Sequence, residues 1–362
     1  GDHSSLVRLC REAGKPVMIQ DVSCCKKNDG QKIIKNSNSI IVDKHDLWLV
    51  SNYANILLNY DADTMAFKNI YFFPEKITNI YFSLSFTKID NELFFAPCNC
   101  ENLWAFDVKS KQFEMIDLMM SDQEKKVKGK FGIAIEYNRE LFLIGYRIHC
   151  IIHINLLSKQ VERYDSYLKQ IRNKGIKEED ALFGYNYQIV ENILYLPMIY
   201  QNIIVAFDLK QYNFELFDIL TTAKGIGFNT IDYSEGIFRL TNSEDEEILW
   251  IKKSGKAITS RLGLLEYNKK SYKNTFHYKD RYIYFAEFEK KIGIKKGNNE
   301  IVTLDFSYPE SECYSDEDNY GKFEFLECIG DKILYQVRSN GDCFCIDMEK
   351  MLISKMNIDI PD

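Results

Sequence analysis

Val205-Ala206-Phe207-Asp208 is three apolar residues closed by an acid, and variants of it recur along the chain. The copies are Leu58-Asn59-Tyr60-Asp61, Trp104-Ala105-Phe106-Asp107, Ile152-His153-Ile154-Asn155, Val302-Thr303-Leu304-Asp305 and Phe344-Cys345-Ile346-Asp347. Their closing positions (61, 107, 155, 208, 305, 347) lie 46, 48, 53, 97 and 42 residues apart. The long interval is two ordinary periods, and the missing copy is expected at Leu249-Trp250-Ile251-Lys252, with Lys252 in place of the acid. Each copy reads as the third strand, strand c, of a repeating unit. Asp and Asn at its end accept backbone N–H bonds two residues on and nucleate a tight turn.

A second ruler is independent of the first. Turn-forming residues followed by an apolar run recur at Asp46-Leu47, Asn91-Glu92-Leu93, Arg139-Glu140-Leu141, Asn192-Ile193, Glu235-Gly236-Ile237, Asp280-Arg281-Tyr282 and Asp331-Lys332-Ile333. These are the turns between strands a and b of seven units. The clearest unit predicts strands over 183–190, 193–198, 203–208 and 214–219, an antiparallel meander. A period of about 40–50 residues in a strand-rich chain is the signature of propeller blades. The 23 Tyr and 24 Phe suit sheets packed on both faces. The sequence therefore predicts an all-β fold, a seven-bladed β-propeller of four-stranded antiparallel blades over residues 39–358. A short N-terminal helix and strand appendage over residues 1–38 precedes it, with a helix at 4–13 and a strand at 17–22.

The strand ending Ala-Phe-Asp before a short turn resembles the propeller repeats of the kelch and quinoprotein-like kind. The resemblance implies the fold and no particular activity, since the kelch Gly-Gly pair, the quinoprotein Trp signature and the WD dipeptide of WD40 repeats are absent. Arg11-Glu12-Ala13-Gly14-Lys15-Pro16-Val17 is similar to the tail of the swivelling phosphohistidine domain of phosphoenolpyruvate-using enzymes. That family's phosphorylated His falls on Ser5, so the activity is not carried over.

Net charge is −7, with the basic residues scattered. This argues against nucleic-acid and anionic-membrane footprints, and no apolar run approaches the ~18–20 residues that span a bilayer. The ten cysteines show no disulfide framework and favour a cytoplasmic protein. A chain starting at Gly1 leaves secretion open.

Cys98, Cys100, Cys343 and Cys345 form two C-x-C pairs. They are expected in blades two and seven, which are not adjacent, so no metal is expected, and no cofactor. His149 and His153, four apart on a strand, stand about 13 Å from one another and read as packing or rim residues. The residue opening each strand c is polar: Asn55, Asn102, His149, Asn202, Glu247, Glu300 and Asp342. With Arg147 and Gln201 from the preceding loops, these make a candidate ligand-binding ring on the b–c loop face. Near its end strand a adds Asp43, Lys88, Glu136, Gln188, Asp232, His277 and Glu327, an acid-rich channel able to attract a cation.

The function expected is non-catalytic binding or scaffolding by a monomer, with a protein or carbohydrate recognised on the loop face. The alternative is a glycan-active hydrolase or lyase with its site in the central funnel; no catalytic residue is assigned. The acidic run 310–319 reads as an exposed loop between blades six and seven, and 166–180 as a helix inserted between blades three and four.

Overall fold

The computed structural model describes residues 37, 39–51, 54–75, 81–177, 180–184, 186–266, 271–296, 300–305, 323–338 and 342–356. The N-terminal appendage, apart from Ser37, and the acidic run 310–319 lie outside the described residues. Seven four-stranded antiparallel sheets follow one another, each ordered a–b–c–d. The protein is a seven-bladed β-propeller. The inner strands a are Ile40–Asp43, Ser83–Ile89, Phe131–Tyr137, Gln188–Val190, Thr230–Ser234, Tyr272–Tyr278 and Phe323–Ile329. Blade seven has its own outer strand, Leu352–Met356, so the ring closes by packing blade seven against blade one. Ser37 adds a tie across this closure, its N–H donating to Gln336 Oε1 of blade seven at 2.9 Å.

All seven a–b turns fall where the sequence puts them. Each is a tight hairpin, with Asp43 paired to Asp46 and Val190 to Ile193. Lys44, Asp90, Asn138, Glu191, Glu235, Lys279 and Gly330 supply the positive φ that such turns require.

The closing acids form the expected turns. Asp107 Oδ1 accepts Lys109 N–H at 2.8 Å, Asp208 Oδ1 accepts Lys210 and Gln211 N–H at 2.8 and 2.9 Å, and Asn155 and Asp347 do the same. The fourth residue after the acid is left-handed each time: Met65, Lys111, Lys159, Tyr212 and Met351. In blade five the matching bond runs from Gly255 N–H to Ile251 O, 2.9 Å, and Gly255 is the left-handed residue (φ +68°). The missing acid is therefore Ile251, one residue before the position read from sequence. A glycine that adopts this conformation without strain stands in for the side-chain bonds.

Three assignments change. In blade six strand c is Lys291–Lys296, and Glu300–Asp305 is the outer strand d. The Val-Thr-Leu-Asp copy lies on a different strand from its counterparts, and Glu300 does not open a strand c. The long interval thus resolves into closing positions at Ile251 and Lys296. In blade four regular strand a is only Gln188–Val190, with one isolated bridge from Phe183 to Met198. The insert between blades three and four is helical over Leu168–Arg172 alone, with Tyr167, Leu168 and Ile171 packed into the core there.

Apolar clusters fill the gaps between neighbouring blades. Trp48, Phe82, Phe95 and Phe106 join blades one and two, Phe142, Leu196 and Phe207 join three and four, and Phe285, Phe323 and Tyr335 join six and seven. Replacing Asp208 by Ala removes two backbone bonds and is expected to lower stability by about 1 kcal/mol, read as a shift of the urea midpoint. Asp208→Asn, which keeps the acceptor, should recover most of it.

Candidate functional site

Strand a starts beside the end of strand b, as the pairing of Ser83 with Pro97 shows. The b–c loops and the d–a connections therefore share one face, and the a–b turns lie on the other. The polar residues that open strand c are on the first face, where most are engaged in holding the d–a connections. Asn102 donates through its main chain and its Nδ2 to Glu75 Oε2, at 3.2 and 3.0 Å. His149 Nε2 lies 2.7 Å from Asp180 O, and Asn202 Oδ1 accepts Gly227 N–H at 2.8 Å. Gly227 is fixed there, because a Cβ would stand 1.7 Å from Ile199 O. Gln201 Nε2 donates to Lys174 O at 3.2 Å, and the buried Asn55 accepts Phe73 N–H through its carbonyl at 3.1 Å. Arg147 is exposed, while Asp342 pairs with Lys355 at 2.7 Å within blade seven.

Glu247 has a different place. It is fully buried between blades five and six, where its carboxylate meets Arg239, Tyr284, Lys295 (2.5 Å) and Ser260 (3.3 Å). The Arg239 guanidinium also lies 3.5 Å above the Tyr282 ring. Burial raises the Glu247 pKa, but the Arg239 charge and the hydrogen bonds from Lys295 and Tyr284 outweigh it and bring the pKa below the usual glutamate value. The stability Glu247 contributes is thus present above the ordinary glutamate range and lost as pH falls through its lowered pKa.

The central channel holds a cavity of about 660 Å³, within the range of ligand sites. Backbone bulges shape its wall. Strand a slips register between Ser83 and Phe86, between Tyr272 and Asn274, and between Phe325 and Glu327. Bulges re-aim side chains, and consecutive residues such as 273–276 and 324–328 line the space. Toward the b–c loop face Glu324 is held between Lys273 (2.9 Å) and Arg338 (2.8 Å), all three buried. Asn186 reaches from blade four to Lys273 O, 2.7 Å away. Toward the a–b turns Lys88 pairs with Asp43 at 3.1 Å. Glu327 differs from both, since its carboxylate's one hydrogen bond among the described residues is from Cys328 N–H, 2.9 Å. Burial pushes its pKa up, only partly offset by that bond.

Sequence reading reached Glu327 as one of several polar strand ends. It missed Tyr187, Phe276 and Phe325 on the same wall, because a bulge leaves no mark in apolar alternation. Cys98 and Cys100 are buried in blade two and Cys343 in blade seven, with blade one between them. Among the described residues no three ligating side chains gather as a metal site would need, and no helix is long and apolar enough to cross a membrane.

No protein-family model matches the chain, nor does any curated protein. Solved structures are similar in fold. Virginiamycin B lyase from Staphylococcus aureus aligns with TM-score 0.60 and 13% identity, over 86% of this chain and 94% of that one. The RRP9 WD40 repeats align with TM-score 0.58 and 8% identity, over 83% and 87%. BamB from Moraxella catarrhalis aligns with TM-score 0.54 and 9% identity, over 84% and 81%. At such identities the likeness concerns the propeller alone.

Removing the Glu247 carboxylate leaves Arg239 and Lys295 buried beside no counter-charge from that residue. Glu247→Ala is therefore expected to cost about 3–5 kcal/mol, measured as the loss in thermal or urea stability relative to the parent protein.

Proposed function

We propose that this protein is a non-catalytic binding propeller that recognises a protein partner on its b–c loop face, with the central channel receiving part of that partner. The observation that carries the reading is the chemistry of that face. Its amide and imidazole side chains are largely engaged in holding the d–a connections, so they are poor candidates for sugar hydroxyls. Its connections instead present Tyr200 (56% exposed), Ile226 (66%), Leu220 (84%) and Met119 (78%). Ile226 adjoins Tyr200, since Gly227 rests on the Ile199–Tyr200 peptide. Exposed apolar side chains rimmed by polar ones favour protein contact.

The channel wall supports binding over catalysis. A hydrolase of the two-carboxylate kind needs a pair of acids facing the substrate. Of the two carboxylates that line the cavity, Glu324 sits in an ion pair, which leaves Glu327.

The test is site-specific photo-crosslinking in cells, with p-benzoylphenylalanine in place of Tyr200 or Ile226, and in place of Met115 or Leu352 on outer strands as controls. The same discrete adduct is expected from positions 200 and 226 and from neither control. Adducts from all four positions alike, adducts from none, or release of products from a polysaccharide panel by the purified protein would contradict the reading.

A further inference from the structure

Two carboxyls line the cavity, Glu324 and Glu327; Glu324 is held between two cations, and Glu327 has no cationic partner among the described residues. The bulge after Phe325 places it on the wall, and the same cavity is lined by the aromatic residues Tyr187, Phe276 and Phe325. Phe325, two residues earlier, lies with its ring centroid 6.0 Å from that of Phe276 on the neighbouring blade, the rings inclined by 52°. Both residues are half-buried and line the cavity, with their rings also packed against Phe285 of the cluster between blades six and seven. Tyr187 approaches from blade four, and its hydroxyl pKa is pushed up to about 12, first by burial and then by the Glu327 charge. An acid among aromatic faces is the arrangement that holds organic cations, which gain from the ring quadrupoles and from a desolvated counter-charge together.

We propose that the a–b-turn half of the channel binds an organic ammonium group, with its charge met by Glu327 and its alkyl substituents packed against Phe276, Phe325 and Tyr187. This deepens the binding reading of the same channel. The ammonium comes either from a lysine side chain of a partner or from a free amine, and the chemistry of recognition is shared.

The charged groups around Glu327 leave room for this role. On its own strand it has Cys328, whose thiol is raised by burial and by Glu327 itself. Blades one and two present Asp43 and Lys88, already paired. Blade three presents Glu136 and blade six His277, both turned to solvent. Asp232 of blade five is buried and faces His277 N–H, and Glu324 sits three residues away between its two cations. A bound cation favours ionised Glu327. Binding should therefore strengthen as pH rises through the raised Glu327 pKa and release protons there.

The experiment is isothermal titration calorimetry on the full chain. The probes are tetramethylammonium, ammonium ion, choline, the neutral choline isostere 3,3-dimethylbutanol, and a short peptide with one central lysine. The expected result is saturable binding of the cations and weaker binding, by about tenfold or more, of the isostere. Glu327→Gln should weaken cation binding by a similar factor, while its thermal midpoint at pH 8 equals or exceeds the parent's, because an unpaired, partly buried acid is removed. Phe325→Ala is the second variant and should weaken tetramethylammonium more than ammonium ion. A peptide that binds tighter than choline identifies the lysine source, and the reverse order a free amine. Equal binding of choline and its isostere, unchanged binding in Glu327→Gln, or no saturable cation binding would overturn the proposal. None of these results depends on crosslinking at the loop face, so the two readings fail separately.

Discussion

A propeller depends on every blade having its two faces covered by its two neighbours, because a lone blade would leave both apolar faces in water. Six of the seven gaps in this ring are filled by clusters of buried aliphatic and aromatic side chains drawn from the strands of both blades. The gap between blades five and six is different. Its apolar cluster comes mainly from blade six and the connection leading to it, and the centre belongs to Glu247, Arg239, Lys295 and Tyr284. Apolar contact adapts to small shifts, whereas a buried carboxylate with two cations requires fixed geometry and leaves uncompensated charge when one member goes. Blade five also lacks the strand-closing acid, with Ile251 and Gly255 making its turn, and Lys252 donates back to Tyr195 of blade four at 2.8 Å.

Much of this was legible because it is local. The a–b hairpins and the Asp-closed turns form within five residues and use side chains whose chemistry fixes the backbone. The misplacements occur where local chemistry repeats by coincidence. Val302-Thr303-Leu304-Asp305 has the composition of a strand c, yet the pairing of Lys291–Lys296 with strand b makes it the outer strand. Likewise the missing acid could be placed only once the Gly255-to-Ile251 bond was seen.

The loop-face ring shows a different limit. Polar residues at the start of strand c are plain in the sequence, but their partners are not. Asn102 meets Glu75, His149 meets Asp180 and Asn202 meets Gly227, at separations of 27, 31 and 25 residues. These separations are set by connections of varying length, so the pairings have no fixed spacing to read. These bonds fasten the d–a connections to the b–c loops.

The channel owes its character to strands a of blades two, six and seven, whose bulges set several residues in a row against the cavity. Its charges pair among themselves at Glu324 and at Asp43, and Glu327 stands apart. Binding of an organic cation in the channel rests on that separation. It is tested most directly by carbon-13 NMR titration of the glutamate side-chain carboxyls, with Glu327 assigned from its Gln variant. The account predicts that Glu327 titrates above the range of free glutamate and moves down when tetramethylammonium is added. A Glu327 that titrates with the exposed glutamates and does not respond to the cation would contradict it.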